Sequence, residues 1–392
     1  MHTAHVFLAV LLAAALFLSG CGNGDKPGEG SSGNIEITLV TMQLGPTFVP
    51  YFEELFAEFE KLNPGVKITW LDNPAQDYDT KLMTSFMGES SPDVINLSPM
   101  MLPRFVERNM LLDLENQLSA EVLESYFPNV FERACTIQGR PYAVPWYLAT
   151  AVSMVNMKIM REVGLAEKDI PATFEDMLTV ARVIKEKSDK FSFFPVYTES
   201  GALMGHLMDA GIPIVDEKET RALFNTPEAL KVFTFWADFY KDGLAPSEAL
   251  TAMHRRPIEL YKSGKLAIFH SGPQFLRHVK SDSPEVYADT VVFPRLHWSF
   301  HEHYPIDAHI MCVSSKTRQP KLAAELAAFI TNGPNQLKFC KLATIIPSVK
   351  DAAEDPYFSK EDGTLEGRAR VLSVESILKG NVIYTPLKHT GK

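Results

Sequence analysis

Two aromatic residues carry the clearest chemical signal in the sequence. Trp146 and Tyr147 directly follow Pro145 in a mostly apolar stretch with no helical period, RPYAVPWYLATAVSMVN at positions 140–156. Flat rings next to hydrogen-bonding side chains suit ligands that have both C–H faces and hydroxyl groups. We therefore predict that both residues contact a small polar ligand, with core packing of the same rings as the alternative.

Polar residues follow three predicted strands and form a second candidate set. The strands IEITLVT, VKITWL and DVINL end before Gln43, Asp72 and Ser98. Ligands of open parallel sheets bind beyond the carboxyl ends of the strands, so these side chains are candidates for ligand contact. Each also has an alternative interpretation as a turn residue or helix cap, because Ser, Asp and Asn satisfy free backbone N–H groups there.

Metal and catalytic motifs are weak. His297, His301, Glu302 and His303 in HWSFHEHY could bind zinc, yet HExxH is absent and the segment between two predicted strands is expected to be a surface loop. The sequence contains no GxSxG, no P-loop and no GxGxxG after a strand. The sequence does not exclude a pair of carboxylates for glycoside hydrolysis, because two such residues can be distant along the chain and adjacent in the folded protein.

Alternating elements must position these residues. Helical spacing of Phe52, Leu55, Phe56 and Phe59 between the first two strands, and another helix before the third, predict a parallel sheet with right-handed crossovers. A second alternating block follows the stretch 140–156, with helices predicted at 174–187 and 227–242 and strands predicted around 193–197 and at 266–270. Two α/β lobes with several chain passages between them fit this order.

The amino terminus predicts export and lipid anchoring. The apolar run Val6–Leu18 is shorter than the roughly 20 residues that cross a bilayer and has the length of a signal-peptide core. It ends in Leu18-Ser19-Gly20-Cys21, which resembles a bacterial lipobox with Cys21 as the acylated residue. Residues 1–20 are thus predicted to be a lipoprotein signal peptide and residues 21–34, rich in Gly and Ser, a flexible tether.

Composition narrows the possible partners. The 392 residues are 46% hydrophobic and have a formal net charge of −10, which fits two to three compact domains and argues against nucleic-acid binding. Beyond Cys21 the cysteines are Cys135, Cys312 and Cys340, with no CxxC pattern. They are predicted to be buried small hydrophobic residues, with a Cys312–Cys340 disulfide as the alternative.

An ordered succession of segments resembles the family 1 extracellular solute-binding proteins of the maltose-binding type. The matching segments are FAEFEKLNPGVKIT, DYDTKLMTSFMGESSPDVINL, GRPYAVPWYLATAVSMVNMKIM, PATFEDML, SGKLAIFHSGPQF and KLAAELAAFITNGPNQ. The resemblance implies an α/β fold of two lobes, each a mixed, mostly parallel sheet flanked by helices. It places lobe I at 35–147 and 308–345, and lobe II at 151–304 and 349–392.

The same resemblance implies a function and a set of partners. The chain would be the extracytoplasmic, membrane-anchored substrate-binding component of an ABC-type importer, act as a monomer without a cofactor, and close its lobes on a sugar and present it to the permease. Where the family often has Trp and Gly-Gly, this chain has Gln274 beside Phe275, and Asp307 with His309. Those four residues join the predicted ligand site and permit a smaller or partly cationic ligand. A metal- or amino-compound-binding protein of this fold, or a secreted glycoside-acting enzyme, remains the alternative.

Overall fold

The computed structural model describes residues 35–75, 78–88, 91–197, 202–216, 220–251 and 255–382. The predicted signal peptide, the tether and Cys21 lie outside the described residues. None of the described helices is both long and apolar enough to cross a membrane.

Helices and strands alternate along the described chain. The strands are β1 (Ile35–Met42), β2 (Val66–Asn73), β3 (Val94–Leu97), β4 (Thr136–Ile137), β5 (Arg140–Pro141), β6 (Ala143–Ala149), β7 (Val152–Asn156), β8 (Ile268–Ser271), β9 (Thr290–Phe293), β10 (Pro305–Val313), β11 (Ile346–Pro347) and β12 (Asn381–Val382). The helices up to the middle of the chain are α1 (Val49–Leu62), α2 (Tyr78–Met87), α3 (Leu102–Glu107), α4 (Ala120–Glu124), α5 (Pro128–Cys135), α6 (Met157–Glu162), α7 (Phe174–Lys187), α8 (Ala202–Asp209) and α9 (Pro227–Lys241). The later helices are α10 (Arg256–Lys262), α11 (Phe275–Asp282), α12 (Pro284–Ala288), α13 (Pro320–Ile330), α14 (Gly333–Ala343), α15 (Lys350–Ala353), α16 (Pro356–Ser359) and α17 (Leu365–Lys379). Short 3-10 helices occupy Pro99–Met101, Glu167–Asp169 and Ser247–Leu250.

The larger sheet has the strand order β11-β6-β10-β3-β1-β2, and β12 also pairs with β10. Strands β1, β2 and β3 are parallel, as the strand and helix alternation predicts, while β10 is antiparallel to both β3 and β6. The smaller sheet, β8-β7-β9, is antiparallel throughout. The two-lobed α/β fold with a mixed sheet is therefore confirmed, although the parallel pairs predominate only around β1. The reason is that β6 and β10 join the larger sheet where the chain passes between the lobes. Helical crossovers within one lobe, which would make these strands parallel, do not connect them.

Two hydrophobic clusters form the cores of two lobes. The first surrounds the larger sheet and the second surrounds the smaller one. The chain passes between them after β6, at Ala149–Val152, and between β9 and β10.

The last segment differs from the expected boundary. Residues 349–392 are expected in lobe II, but Val349, Ala352 and Phe358 lie in the first cluster. The physical reason is that β11 pairs with β6 in the larger sheet, so the chain that follows packs beneath that sheet. In the described part of this segment, up to residue 382, α17 is the element that reaches the second cluster, through Ala369 and Leu372.

Cys135, Cys312 and Cys340 are all free and fully buried. Burial raises the pKa of each thiol well above its ordinary value, so all three stay protonated at neutral pH. They behave as small hydrophobic residues, and the alternative disulfide is absent from the structure.

Candidate ligand cleft

A cavity of about 560 Å³ lies where the two lobes meet. Its first-lobe wall includes Gln43, Tyr147, Asp307 and His309, and its second-lobe wall includes Gln274 and Phe275. The structure therefore brings six of the eight predicted ligand-binding residues together in one cleft. A volume in this range accommodates a small organic ligand.

The loop after β1 supplies one edge of the cleft. Gln43 has a left-handed backbone conformation, with φ of 55°, and its N–H donates to the carbonyl of Asn73. The carboxylate of Asp72 accepts from Thr41 Oγ1 at 2.7 Å, from the Leu44 N–H at 3.0 Å and from the Gly45 N–H at 2.9 Å. Asp72 thus fixes the loop, and Gln43 and Thr47 are the polar residues of this loop that line the cavity.

Tyr147 and His309 form a stacked pair on the cleft wall. They are register partners on the antiparallel strands β6 and β10, and their ring centroids are 4.6 Å apart with an interplanar angle of 14°. His309 Nδ1 lies 3.4 Å from the side-chain amide of Asn96. Burial lowers the pKa of His309 despite the nearby Asp307 carboxylate, so the ring is neutral at pH 7. The pair is a flat, uncharged aromatic surface with hydrogen-bonding atoms at its edge.

Asp307 lies on the same cleft wall, two residues before His309 on β10. It is exposed, pairs with Ala149 on β6, and forms no ion pair with another described residue. The carboxylate also contributes, after burial, to raising the pKa of the Tyr147 hydroxyl, which is protonated over the physiological range. An unpaired carboxylate in a cleft can accept hydrogen bonds from ligand hydroxyl or amino groups.

The second-lobe wall is built at the start of α11. Gln274 is the cap residue of this helix, and its Oε1 is buried without a hydrogen-bond partner among the described residues. A Cβ atom at Gly272 would lie 2.2 Å from that oxygen, so glycine leaves the space that the amide occupies. Phe275 follows and is half-buried, with its ring 5.9 Å from that of Phe269. This wall offers one amide and one ring to a ligand.

Cationic side chains line the outer part of the second-lobe wall, and sequence analysis did not identify them. Lys262 is held by Glu259 and Asp282, each at 2.9 Å, and these hydrogen bonds raise its pKa. Arg277 Nη1 donates to the carbonyl of Leu342 at 3.4 Å and so connects the lobes. Arg255 is exposed on the same wall. No motif marks these residues, because they belong to helix surfaces whose polar faces resemble any solvated face.

Trp146 does not contact the cleft, which corrects the prediction that it is a ligand platform. Its side chain is 0% exposed, and its ring stacks on Phe339 at 4.8 Å with an angle of 12°. Successive side chains on a strand point to opposite faces, so only one of the neighbours Trp146 and Tyr147 can face the cavity. Phe339 and Tyr147 both line the cleft, and Trp146 packs behind them.

Ser98 is also not among the residues that line the cleft. It is half-buried and directly precedes the short 3-10 helix Pro99–Met101. The interpretation as a residue at a helix start fits its position better than ligand contact.

The histidine-rich segment does not form a metal centre. His297 Nδ1 lies 2.9 Å from the Trp298 carbonyl, and the rings of His301 and His303 are 5.5 Å apart. Among the described residues, no three His, Cys, Asp or Glu side chains are grouped so that they could hold a metal ion.

Residues 54–366 match the family model of the bacterial extracellular solute-binding proteins. The chain belongs to this family. Members are binding proteins and not enzymes, and they act outside the cytoplasm, so both predictions are confirmed.

Individual relatives support the assignment of this solute-binding protein. A periplasmic-binding protein from Synechococcus sp. MITs9220, crystallised in complex with zinc, superimposes with a TM-score of 0.82 at 32% identity, covering 90% of each chain. The galactooligosaccharide-binding protein of Bacillus subtilis is 23% identical, over 96% of this chain and 89% of its own. The GacH receptor of Streptomyces glaucescens, solved with acarbose, shares the fold with a TM-score of 0.75 at 17% identity, covering 89% of this chain and 87% of its own.

Proposed function

We propose that this solute-binding protein captures a carbohydrate in the interlobe cleft and presents it to an ABC-type permease. The observation that carries the proposal is one cavity in which a neutral aromatic pair, Tyr147 with His309, faces the amide and ring of Gln274 and Phe275. Aromatic faces pack on the C–H faces of sugars, while the polar atoms accept and donate to hydroxyl groups. The galactooligosaccharide specificity of the B. subtilis relative supports this ligand class.

Lobe closure is the proposed mechanism. Ligand groups that bridge Asp307 on one wall and Gln274 on the other make both sets of contacts only when the walls approach each other. The ligand therefore shifts the equilibrium towards the closed form by its differential affinity for that form. The permease would then select the closed, loaded protein.

Membrane attachment through Cys21 is part of the same proposal. Two or more acyl chains bind a bilayer stably, whereas one chain gives only marginal binding. The Gly- and Ser-rich residues that follow would let a monomeric binding protein reach the permease while tethered to the membrane.

A thermal-shift screen against mono-, di- and trisaccharides, polyols and amino compounds tests the ligand class. Saturating ligand should stabilise the protein by about 3–4 kcal/mol. Stabilisation by amino compounds alone, lost in Asp307→Asn, would favour a cationic ligand in the same cleft.

The cleft itself is tested with Phe275→Ala. Removing the ring should weaken saccharide affinity about tenfold or more, which corresponds to about 1.4 kcal/mol. Phe300→Ala is the matched control, because Phe300 is 46% exposed and lies outside the cleft. Equal affinities of the two variants in calorimetry would exclude this site.

The anchor is tested with Cys21→Ala. The variant should move from the membrane fraction to the soluble fraction with unchanged saccharide affinity. Mass spectrometry of the wild-type protein should show the added lipid, and an unmodified amino terminus would contradict the anchor.

A further inference from the structure

Charge is distributed unequally between the two walls of the interlobe cleft. The whole chain has 38 Lys and Arg against 48 Asp and Glu, yet the residues that line the cleft include three Lys or Arg and two carboxylates. All three cations belong to the second-lobe wall, whereas Asp307 is the ionised residue of the first-lobe wall. A ligand in the cleft therefore meets positive charge from one lobe, although the protein as a whole is acidic.

The carboxylates beside the second-lobe wall are used by Lys262. Its Nζ lies 2.9 Å from Glu259 Oε1 and 2.9 Å from Asp282 Oδ2. Arg255 precedes Glu259 by four residues, the spacing at which opposite charges pair along a helix. Within the described part of the chain, however, Arg255 is exposed and forms no ion pair. Its guanidinium is therefore available to a ligand in the cleft.

Arg277 also keeps an uncompensated positive charge. Its side chain is exposed, and Nη1 donates to the Leu342 carbonyl at 3.4 Å. No described carboxylate forms an ion pair with it, and a neutral carbonyl occupies only one of the five N–H donors of a guanidinium. The remaining donors form a planar fork, which matches the geometry of a carboxylate or phosphate.

Both arginines lie where their helices begin. Arg255 directly precedes α10, and Arg277 is in the first turn of α11. The other ends of these two helices are joined by the ion pair between Lys262 and Asp282. Because the helices are fastened side by side and their starts line the same cavity, one ligand can contact both guanidinium groups.

We propose that the ligand is an acidic saccharide, whose anionic group is bound by Arg255 and Arg277. The anionic group is a carboxylate or a phosphate, both of which accept paired N–H donors from guanidinium groups. Asp307, on the opposite wall, accepts hydrogen bonds from hydroxyl groups of the same ligand. This inference rests on the proposed function, which requires a saccharide but leaves its charge open.

Matched ligands and matched variants test the charge of the ligand. Galacturonic acid is compared with galactose, trigalacturonic acid with galactotriose, and galactose 6-phosphate with inorganic phosphate. Isothermal titration is performed on wild type, Arg255→Gln, Arg277→Gln and the control Arg256→Gln. Arg256 is the exposed neighbour of Arg255, but it pairs with Glu248 at 3.1 Å and does not line the cleft.

Wild type should bind an acidic saccharide about tenfold or more tightly than its neutral counterpart. Arg255→Gln and Arg277→Gln should each lower this ratio of affinities about fivefold to tenfold, because a charge-assisted hydrogen bond is lost. Arg256→Gln should keep the ratio within about twofold. Raising the salt concentration from about 50 to about 500 mM should weaken binding of the acidic saccharide and leave the neutral one unchanged.

The outcomes separate this inference from the proposed function. Equal or tighter binding of the neutral saccharides, or a ratio that neither arginine variant changes, would overturn the acidic ligand and leave the saccharide cleft intact. Equal losses for acidic and neutral saccharides in Arg277→Gln would show that Arg277 acts through Leu342, and would overturn its role as an anion ligand. Inorganic phosphate that binds as tightly as galactose 6-phosphate would overturn recognition of a saccharide. No binding of any saccharide, here or in the thermal-shift screen, would overturn both proposals.

Discussion

Trp146 and Tyr147 are adjacent in the chain yet have opposite environments. Tyr147 is half-buried on the cleft wall and stacks on His309, whereas Trp146 is enclosed by Phe52, Phe339 and the sheet. The alternation of side chains along β6 requires this difference. A ligand platform and its support are thus encoded by two consecutive residues.

Trp146→Ala should destabilise the protein by about 3–5 kcal/mol, because it leaves a large cavity in the first-lobe core. The fraction that remains folded should bind saccharide with an affinity near that of wild type, since the ring lies behind the cleft wall. Denaturant unfolding and calorimetry on the same sample measure both quantities. Unimpaired stability combined with lost affinity would place the ring in the site after all.

Three half-buried histidines should make stability depend on pH. Burial lowers the pKa of His206, His270 and His309 below the ordinary value near 6.5 that they regain on unfolding. Their contribution to stability is therefore complete above about pH 6.5 and declines as the pH falls towards the lower folded values, by up to about 1.4 kcal/mol per pH unit for each proton.

Thermal unfolding of wild type and His270→Leu between about pH 7.5 and 5 checks this expectation. The variant should lose less stability on acidification, because one proton fewer is taken up on unfolding. Parallel curves for the two proteins would show that His270 does not contribute.

For single residues, the sequence predicts where a residue lies along the strands and loops better than it predicts which way its side chain points. Gln43 was predicted to contact ligand because it follows a predicted strand. Asp307 and Gln274 were predicted because they replace residues that are frequent in the family. All three line one cleft. The burial of Trp146 depends on which face of β6 meets Phe339, a residue 193 positions away, and no local pattern contains that information. Arg277 was missed for the same reason, since its contact with Leu342 exists only once the lobes meet.

Among the secondary-structure elements, α17 has contacts with both lobes. Its Ala369 and Leu372 belong to the second cluster, while Ile377, and Val382 just beyond it, belong to the first. The helix ends at Gly380, where a Cβ atom would lie 2.2 Å from the Tyr304 carbonyl and 2.9 Å from the Ser376 carbonyl. Glycine is therefore required for the close approach of this helix end to the passage before β10.

Gly380→Ala should cost about 1–3 kcal/mol, because backbone atoms must move to admit the methyl group. Gly205→Ala is the control: its Cβ would meet no atom within 4 Å, and alanine inside α8 favours the helix. Chemical denaturation of both variants gives the comparison, and similar stabilities would argue against the tight contact.

Long, strongly periodic elements follow directly from the sequence. Helix α1 ends at Leu62 before Asn63, Pro64 and Gly65, as its apolar spacing and stop signal predict. By contrast, the strand expected around 193–197 does not form, and nearby Phe191 makes only an isolated bridge to Leu266. A short apolar run does not reveal whether a partner strand will be available, and here β8 pairs with β7 instead.

For the whole molecule, ligand should reduce the radius of gyration in solution scattering. The ligand bridges walls from two cores that are joined by narrow passages, so lobe approach is the softest motion available. Phe275→Ala is the control: at the saccharide concentration that half-saturates wild type, its radius should decrease less than that of wild type, because its affinity is about tenfold lower. A wild-type radius that is unchanged at saturation would mean that the ligand binds without closure.

The pairing of β6 with β11 and β10 has a consequence for how the chain becomes structured. Strand β6 ends at Ala149, but its neighbours begin at Pro305 and Ile346, so the larger sheet cannot be completed until nearly the whole chain is present. The smaller sheet joins strands between Val152 and Phe293 without any later segment. Contacts between distant residues form slowly, since long loops must close first. The smaller sheet can thus form while the larger sheet still lacks β10 and β11, but the second-lobe core is complete only after Ala369 and Leu372 of α17 have packed onto it. Both lobes therefore depend on the carboxyl-terminal part of the chain, and the cleft between them forms late.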